Sequence, residues 1–325
     1  MRSILVPLDG SELAEQALPL ALSIAARSGA EVTLLQAVPL PIAPVGFGNE
    51  WLLVDDQLEL LEREARNYLG ELAGRVQAAL PAGQRPTELR QATTIGPAAQ
   101  AIADYATANR ADLIVMATHG RSGLSRWALG SVTDQVLQLS HVPVLIVRPP
   151  EEAPVRFDSL PAPGRIMITL DGSELAERVL PTATEMARVF EAELLLFRVA
   201  LLPAVYYMDA GAAAFQLDFL ESAKEEAAEY LEQVAQALRT QGARVRTAVG
   251  VTPIVESILD VAAEAGVDLI AMTTHGRTGL GRVVYGSVTD RIVRSSACPV
   301  LVVRSASAEP TPAPSGDAED RRSDQ

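Results

Sequence analysis

The sequence is poor in the residue types that build disulfides, metal clusters and base-stacking surfaces. Its 325 residues contain one cysteine, Cys298, and three histidines, which excludes an intrachain disulfide, a zinc knuckle and a rich metal cluster. Aromatic residues make up only 4%, which argues against a surface on which single-stranded bases stack. Lys plus Arg number 27 against 41 Asp plus Glu, so the net charge of −14 excludes an overall basic field for nucleic acid or anionic lipid.

Long hydrophobic runs and targeting signals are also missing. No segment approaches the roughly 18 uninterrupted apolar residues of a membrane span, and the apolar run after Met1 is too short for a signal peptide. Hydrophobic residues nevertheless make up 48% of the chain, which is typical of a globular protein. These counts predict a soluble, cytoplasmic protein of two domains, with neither a nucleic acid nor a membrane as partner.

The strongest positive feature is a repeat of long period. ILVPLDGSELAE at position 4 recurs as IMITLDGSELAE at position 166, and DLIVMATHGRSGL at 112 recurs as DLIAMTTHGRTGL at 268. The offset falls from 162 to 156 between the two matches, so the second copy is about six residues shorter in its middle. Solenoid repeats have periods of roughly 20–50 residues, so a period this long indicates a duplicated domain.

The repeats divide the chain into two predicted domains, residues 1–148 and 165–304. The proline-rich segment 149–164 between them is predicted to be a semi-rigid linker. The tail, residues 305–325, has few apolar side chains to bury and is predicted to be disordered.

Within each repeat, short Val, Ile and Leu runs alternate with helical patterns. The predicted strands of repeat one are Ile4–Leu8, Val32–Val38, Thr87–Ala92, Leu113–Ala117 and Val144–Val147. The predicted helices are Glu12–Arg27, Asp55–Leu80, Ala98–Asn109 and Ser131–Ser140. Such alternation predicts right-handed crossovers and an open parallel sheet with helices on both faces, which binds its ligand at the carboxyl ends of the strands.

The last strand of each repeat is short and apolar, and an exposed edge of this kind tends to pair. Val144–Val147 and Leu301–Val303 are therefore expected to pair with each other, which makes the chain an intrachain pseudo-dimer. Further association into a homodimer stays open.

The shared motifs converge on the carboxyl ends of the predicted strands. Asp9 follows the first strand, and the loop 118–123 follows the fourth. Gly130 and Ser131 open the next helix, whose free N–H groups and positive dipole end favour an anion. The hydroxyls of Ser131 and Thr133 are expected to add donors. This set suits a nucleotide with its phosphates at the helix and its ribose or base nearer Asp9.

Each element also has a purely structural interpretation. Asp9 would serve as a helix cap, His119 and His275 as packed histidines, and Arg121 and Arg277 as solvated surface charges. The return of all these elements together in the second repeat favours a binding site. Catalysis has little support, because the sequence has no P-loop, no G-x-S-x-G elbow, no H-E-x-x-H helix and no apparent carboxylate–histidine–nucleophile set.

The combined motifs resemble those of the universal stress protein family. That family joins a first-strand V-P-L-D-G-S to a late motif of G-x-x-G, nine residues, and G-[ST]. Here ATHG at 117 and TTHG at 273 are each followed by nine residues and then by GS, at 130 and 286. The first glycine of the motif is thus Ala117 or Thr273, so the site of repeat one is expected to be the tighter one, because alanine is the smaller residue.

The resemblance implies an adenine nucleotide alpha hydrolase-like α/β fold, with two repeated open parallel five-stranded sheets of order 3-2-1-4-5 and helices on both faces. It also implies binding of ATP, AMP or ADP, with Mg²⁺ beside the phosphates, in stress response or signalling. Slow ATP hydrolysis and a nucleotide-free interaction scaffold are the alternatives.

The resemblance further implies a role for each part of the site. The aspartate after the first strand contacts the adenosine, the end of strand two lines the adenine pocket, and the glycine loop and G-[ST] hold ribose and phosphates. The nucleotide-binding residues expected in repeat one are Pro7, Leu8, Asp9, Ala37, Ala117, His119, Gly120, Arg121, Gly130, Ser131, Val132 and Thr133. Those expected in repeat two are Thr169, Leu170, Asp171, Val199, Thr273, His275, Gly276, Arg277, Gly286, Ser287, Val288 and Thr289.

Overall fold

Each repeat contributes five strands to the fold. The computed structural model describes residues 1–41, 50–118, 129–148, 154–201, 212–274 and 286–304. The strands of repeat one are β1 Ser3–Leu8, β2 Glu31–Val38, β3 Leu89–Ile95, β4 Leu113–Ala117 and β5 Val144–Val147. Those of repeat two are β6 Arg165–Thr169, β7 Glu193–Ala200, β8 Val245–Val251, β9 Leu269–Thr273 and β10 Val300–Val303.

Helices connect successive strands. Repeat one has α1 Glu12–Glu15, α2 Leu18–Ser28, α3 Glu50–Ala79, α4 Ala98–Ala108 and α5 Ser131–Leu139, with a short 3₁₀ turn at Ala82–Gln84. Repeat two has α6 Glu174–Glu177, α7 Leu180–Phe190, α8 Ala212–Thr240, α9 Ile254–Glu264 and α10 Ser287–Ser295. None of the described helices is both long and apolar enough to cross a membrane.

The ten strands form one sheet of order β3-β2-β1-β4-β5-β10-β9-β6-β7-β8. Within each repeat all neighbouring strands are parallel, in the order 3-2-1-4-5 that the resemblance implied, so the predicted fold class is confirmed. The two five-stranded sheets are not separate, because β5 and β10 pair antiparallel with Leu145 opposite Leu301. This pairing of the two last strands is the one expected from their short apolar sequences.

Two arginines that follow the last strands reinforce the joint between the repeats. Arg148 Nη1 donates to the carbonyl of Ser296 at 3.2 Å, and Arg304 Nη1 donates to the carbonyl of Leu139 at 3.1 Å. Each acceptor lies at the C-terminal end of the last helix of the opposite repeat, where carbonyl groups lack intrahelical partners. The contacts are reciprocal, so the two repeats are related by an approximate two-fold axis.

The central strands are buried on both faces, because helices cover both faces of a doubly wound sheet. Ile4, Leu5 and Val6 are successive residues of β1, and none is more than 1% exposed. Ile4 and Val6 belong to the apolar cluster on one face, whereas Leu5 belongs to the cluster on the other. The continuous apolar runs therefore mark strands between two helix layers.

The predicted single helix Glu12–Arg27 is wrong, since two helices, α1 and α2, occupy this region. Pro19 lies in the first turn of α2, and proline has no N–H to donate to a carbonyl one turn earlier. Its ring would also clash with the backbone of a continuing helix, so α1 ends at Glu15 and α2 begins at Leu18. Repeat two has the same break, with Pro181 in the first turn of α7.

The described part of the predicted linker packs against the repeats rather than acting as a free spacer. Phe157 is 7% exposed and joins the main apolar cluster, and Leu160 packs against that cluster. Ser23 Oγ in α2 donates to the Pro161 carbonyl at 2.5 Å. Residues 149–153 of the linker and the tail 305–325 lie outside the described residues.

Candidate functional site

A cavity of about 440 Å³ opens at the carboxyl ends of β6, β7 and β9, where α8, α9 and α10 surround it. Its volume lies in the range of roughly 300–1,000 Å³ that small-molecule sites usually have. Nine of the predicted residues of repeat two line it, namely Thr169, Leu170, Asp171, Val199, Thr273, Gly286, Ser287, Val288 and Thr289. The other three, His275, Gly276 and Arg277, lie outside the described residues.

One wall of this cavity is the N-terminus of α10. Its N-cap, Gly286, provides no side-chain hydrogen bond to the first turn, in contrast to α6, where the N-cap Ser173 accepts from Ala176. The N–H groups of the first turn have no intrahelical acceptor, and the helix dipole places partial positive charge there. This end of the cavity is therefore suited to an anionic group.

Gly286 is required by a close approach of two backbones and not by its φ of −57°. Its N–H donates to the Thr274 carbonyl at 2.7 Å. A Cβ at position 286 would lie 3.0 Å from the same oxygen, closer than side chains normally allow. Glycine thus holds the start of α10 against the end of β9.

The two motif threonines bond the sheet through their hydroxyls. Thr289 Oγ1 donates to the carbonyl of Thr273 at 2.9 Å, and Thr133 Oγ1 donates to the carbonyl of Ala117 at 3.1 Å. A buried carbonyl at the end of a strand needs a donor, and the threonine hydroxyl supplies it. The prediction that the Thr133 hydroxyl adds a donor for a ligand is therefore wrong, because its proton already bonds the sheet.

The motif aspartates sit in identical turns in both repeats. Asp171 Oδ1 accepts from the backbone N–H of Ser173 at 2.9 Å and from its hydroxyl at 2.6 Å. Asp9 Oδ1 accepts the same two bonds from Ser11, at 3.0 and 2.6 Å. The serines, not the aspartates, are the N-caps of α1 and α6, as the sequence predicted for Ser11. The turn orients each carboxylate at the end of its strand, and Asp171 lines the cavity.

Repeat one places its residues at the carboxyl ends of its own strands, which lie at the opposite edge of the ten-stranded sheet because β5 and β10 are antiparallel. Gly130 is the N-cap of α5 without a side-chain cap, and its N–H donates to the Thr118 carbonyl at 2.7 Å, as Gly286 does to Thr274. Pro7 and Leu8 are buried at the end of β1, and Ala37 lies near the end of β2. Ser131, Val132 and Thr133 form the first turn of α5. His119, Gly120 and Arg121 lie outside the described residues.

A charged cluster that the sequence prediction missed forms the far wall of the repeat-two cavity. Arg198 in β7 and Glu226 in α8 both line the cavity, and Arg198 Nη2 donates to Glu226 Oε1 at 3.0 Å. The Arg198 guanidinium also lies over the Tyr230 ring, 5.0 Å from its centroid. Comparing the repeats at an offset of 162 would have singled out Arg198, because repeat one has Gln36 there.

Apolar residues that the motifs did not include complete the lining. Phe197 and Ile258 are buried, and Leu201 and Phe219 are exposed large hydrophobic residues at 47% and 41%. No short motif marks them, because they come from β7, the residue that follows it, α8 and α9.

Two tyrosines beside the sites are held in their neutral form. Burial and a hydrogen bond to Glu177 raise the pKa of Tyr230 well above its ordinary value. Burial and the carboxylate of Glu15 raise the pKa of Tyr68 in the same way. Both hydroxyls are therefore hydrogen-bond donors at neutral pH and not bases. Within the described ranges, no group of three or more His, Cys, Asp or Glu side chains could hold a metal ion.

The fold and the cavity together define a tandem, doubly wound α/β protein with a ligand-sized crevice at the carboxyl ends of the repeat-two strands. The model of the universal stress protein family matches residues 1–148 and again residues 163–304. The chain belongs to the universal stress protein family, with two copies of the family domain in tandem.

Individual relatives agree with this family membership. A universal stress protein of Methanocaldococcus jannaschii is 32% identical over 152 residues, which span 46% of this chain and 84% of that protein. One from Bacillus subtilis is 27% identical over 148 residues, spanning 43% of this chain and 98% of that protein. The crystal structure of a universal stress protein from Archaeoglobus fulgidus covers 93% of this chain and 96% of its own, with a TM-score of 0.64 and 21% identity, so the tandem fold is shared.

Proposed function

We propose that the chain binds an adenine nucleotide, ATP or AMP, and acts in stress response or signalling with little or no turnover. The observation that carries this proposal is the convergence of nine motif residues on one cavity, which the N-terminus of α10 closes on one side. Membership of the universal stress protein family supports it. As its compartment we propose the cytoplasm, where adenine nucleotides are made and used.

We propose a place in the cavity for each part of the nucleotide. The phosphates would lie at the first turn of α10, where the N–H groups and hydroxyl of Ser287 are donors, with Mg²⁺ beside them. The ribose hydroxyls would face the Asp171 carboxylate. The base would lie near Val199, two strands away from β9 in the sheet and hence about 10 Å from the phosphate end.

Mass spectrometry of the purified protein tests the proposal first, by identifying any nucleotide that denaturation releases. Titration calorimetry with ATP and AMP, with and without Mg²⁺, then measures the affinity. Gly286→Asp should remove most binding in repeat two, because two unit charges about 4 Å apart repel by roughly 4 kcal/mol at an effective dielectric of 20. Even a quarter of that energy lowers affinity several-fold.

Gly286→Ala is the matched control, because its Cβ makes the same close approach to the Thr274 carbonyl without a charge. It should weaken binding less than Gly286→Asp. Gly130→Asp makes the corresponding change in repeat one. Unchanged ATP binding in the double variant Gly130→Asp/Gly286→Asp, with the circular dichroism spectrum retained, would overturn the proposal.

We further propose that repeat one binds the nucleotide more tightly, since Ala117 is smaller than Thr273 at the start of the glycine loop. Gly130→Asp should then cause the larger loss of total affinity. A loss confined to Gly286→Asp would reverse this ranking. Phosphate release above that of the double variant would show slow hydrolysis, and an empty site at millimolar ATP would favour a scaffold role.

A further inference from the structure

The two repeats differ at one position of their second strands, where only repeat two has a charged residue. Arg198 is the sixth residue of β7, and Gln36 is the sixth residue of β2. Glu226 lies four residues before Tyr230 in α8, as Glu64 lies four residues before Tyr68 in α3. Both repeats therefore have the glutamate, whereas only repeat two has the arginine at this strand position.

Arg198 fixes the position of Glu226. The Arg198 side chain is 8% exposed, between the Tyr230 ring and the cavity, whereas the Glu226 side chain is 71% exposed. A guanidinium buried this deeply needs a negative partner, and Glu226 supplies it at 3.0 Å. The ion pair therefore joins a buried guanidinium to an exposed carboxylate on one wall of the cavity and orients that carboxylate.

Repeat one has no such pair among its described residues. The Gln36 Oε1 atom is buried without a hydrogen-bond partner in the part of the chain that the structure describes. A neutral amide provides no charge to attract Glu64, which is exposed. The equivalent carboxylate of repeat one is therefore not tied to its strand by an ion pair.

We propose that Glu226, positioned by Arg198, determines the base specificity of repeat two, selecting a purine that presents an amino group at its outer edge. This inference rests on the proposed nucleotide-binding function. One carboxylate oxygen bonds Arg198, and the carboxylate has further lone pairs that accept from an N–H donor. The N6 amino group of a 6-amino purine donates there, whereas the O6 atom of a 6-oxo purine sets one acceptor against another. A site that hydrogen-bonds a ligand N–H discriminates against the analogue that lacks it, and because the Glu226 side chain is 71% exposed we expect less discrimination than a buried group would give.

The location of the pair fits this role. Glu226 and Arg198 lie on the β7 and α8 side of the cavity, and the α10 N-terminus lies on the β9 side, with β6 between them. A carboxylate beside the phosphates would repel them, but β7, whose Arg198 binds Glu226, lies two strands from β9, which is about 10 Å. The negative group thus faces the part of the ligand that is uncharged.

Titration calorimetry with ATP and inosine triphosphate tests the inference in the full chain carrying Gly130→Asp, so that repeat two is observed. The parent should favour ATP about tenfold. Glu226→Gln should bring the ratio of the ATP affinity to the inosine triphosphate affinity close to one, because an amide both accepts from an amino group and donates to an oxo group. Arg198→Gln, which places the residue of repeat one in β7, should lower the ratio as well, because Glu226 is then no longer positioned.

Glu225→Gln is the matched control. Glu225 is exposed, is adjacent to Glu226 in α8, and is not among the residues that line the cavity, so its substitution should keep the ratio. A similar fall of the affinity ratio in Glu225→Gln would overturn the inference, because it would show that any loss of negative charge on α8 has the same effect. Circular dichroism of each variant checks the fold. If Arg198→Gln fails to fold, the affinity ratio of Glu226→Gln, a change at an exposed side chain, tests the inference.

The failures of the two proposals are distinguishable. Absence of ATP binding in the parent would overturn the proposed function of repeat two and this inference with it. ATP binding with an ATP-to-inosine-triphosphate ratio near one in the parent, or an unchanged ratio in Glu226→Gln, would overturn the inference alone. A ratio that falls in Glu226→Gln but not in Arg198→Gln would overturn the positioning role of Arg198.

Discussion

Phe197 packs so closely against Gly250 that a Cβ at position 250 would lie 2.5 Å from its Cζ atom. The same Cβ would also collide with Ser257 Oγ. Phe197 lines the cavity of repeat two, and the absence of a side chain at Gly250 makes room for its ring. Repeat one fills this space in another way, with Leu35, Thr94 and Ala101 at the equivalent positions.

Gly250→Ala should lower the free energy of unfolding by about 1–3 kcal/mol, because overpacking forces strained rotamers or backbone shifts. Adding Phe197→Leu should cost less in the Gly250→Ala background than in the wild type, since the smaller side chain relieves the collision with the ring, while that with Ser257 Oγ remains. Chemical denaturation of the four proteins measures the coupling. Gly74→Ala is the control, because a Cβ there meets nothing within 4 Å in α3, and helix propensity makes it neutral or stabilising. Strict additivity of the two changes would contradict the proposed contact.

The pairing of Leu145 with Leu301 predicts that the two repeats unfold together. Both side chains are fully buried at the centre of the sheet. Leu301→Ala should cost about 2–5 kcal/mol, the usual range for a large-to-small change in a core. Leu60→Ala in α3 should change stability by less than about 0.5 kcal/mol, because Leu60 is 52% exposed. Two separate unfolding transitions in the wild type would contradict a single cooperative sheet.

The raised pKa values of Tyr68 and Tyr230 predict a loss of stability in alkaline solution. A neutral tyrosine is favoured in the folded state, so the folded protein keeps its proton at a pH where the unfolded chain loses it. The stabilisation is complete below the ordinary tyrosine pKa of about 10 and is lost as pH rises above that value. Denaturation between pH 8 and 11.5 should show this fall, with a smaller slope in Tyr68→Phe/Tyr230→Phe. If the unfolding free energy of the double variant falls with pH at the same slope, groups other than these two tyrosines cause the loss.

Cys298 should react slowly with thiol reagents in the folded protein. Burial raises the pKa of its thiol, which lowers the thiolate fraction at neutral pH, and Ser296 Oγ lies 3.4 Å from its sulfur. The thiolate is the reactive form, so labelling at pH 7.5 should be at least about tenfold slower than in denaturant. Because Cys298 is the sole cysteine, the absorbance of a released thiol dye reports it directly. Equal rates in the folded and unfolded states would contradict this prediction.

Element types and the fold class could be predicted because their signals are local or shared by both repeats. Apolar runs at 4–8 and 113–117 marked strands almost to the residue. The boundaries of β3, predicted at Thr87–Ala92 and found at Leu89–Ile95, were wrong because an edge strand is only partly buried and its pattern is weak. The break before α2 was missed because the apolar pattern of residues 12–27 continues across it, although Pro19 fits the first turn of a helix that starts at Leu18.

The duplicated motifs were enough to place Asp171, Thr273 and Gly286 at one edge of the sheet, since parallel strands direct their carboxyl ends to the same side. Which groups meet across that edge depends on packing between segments far apart in the chain. Arg198 and Glu226 are 28 residues apart and come together because α8 crosses over β7. The hydroxyls of Thr133 and Thr289 bond to the sheet because each helix starts directly against the strand before it. Contacts of this kind arise from the three-dimensional approach of two elements, and no periodicity within either element encodes them.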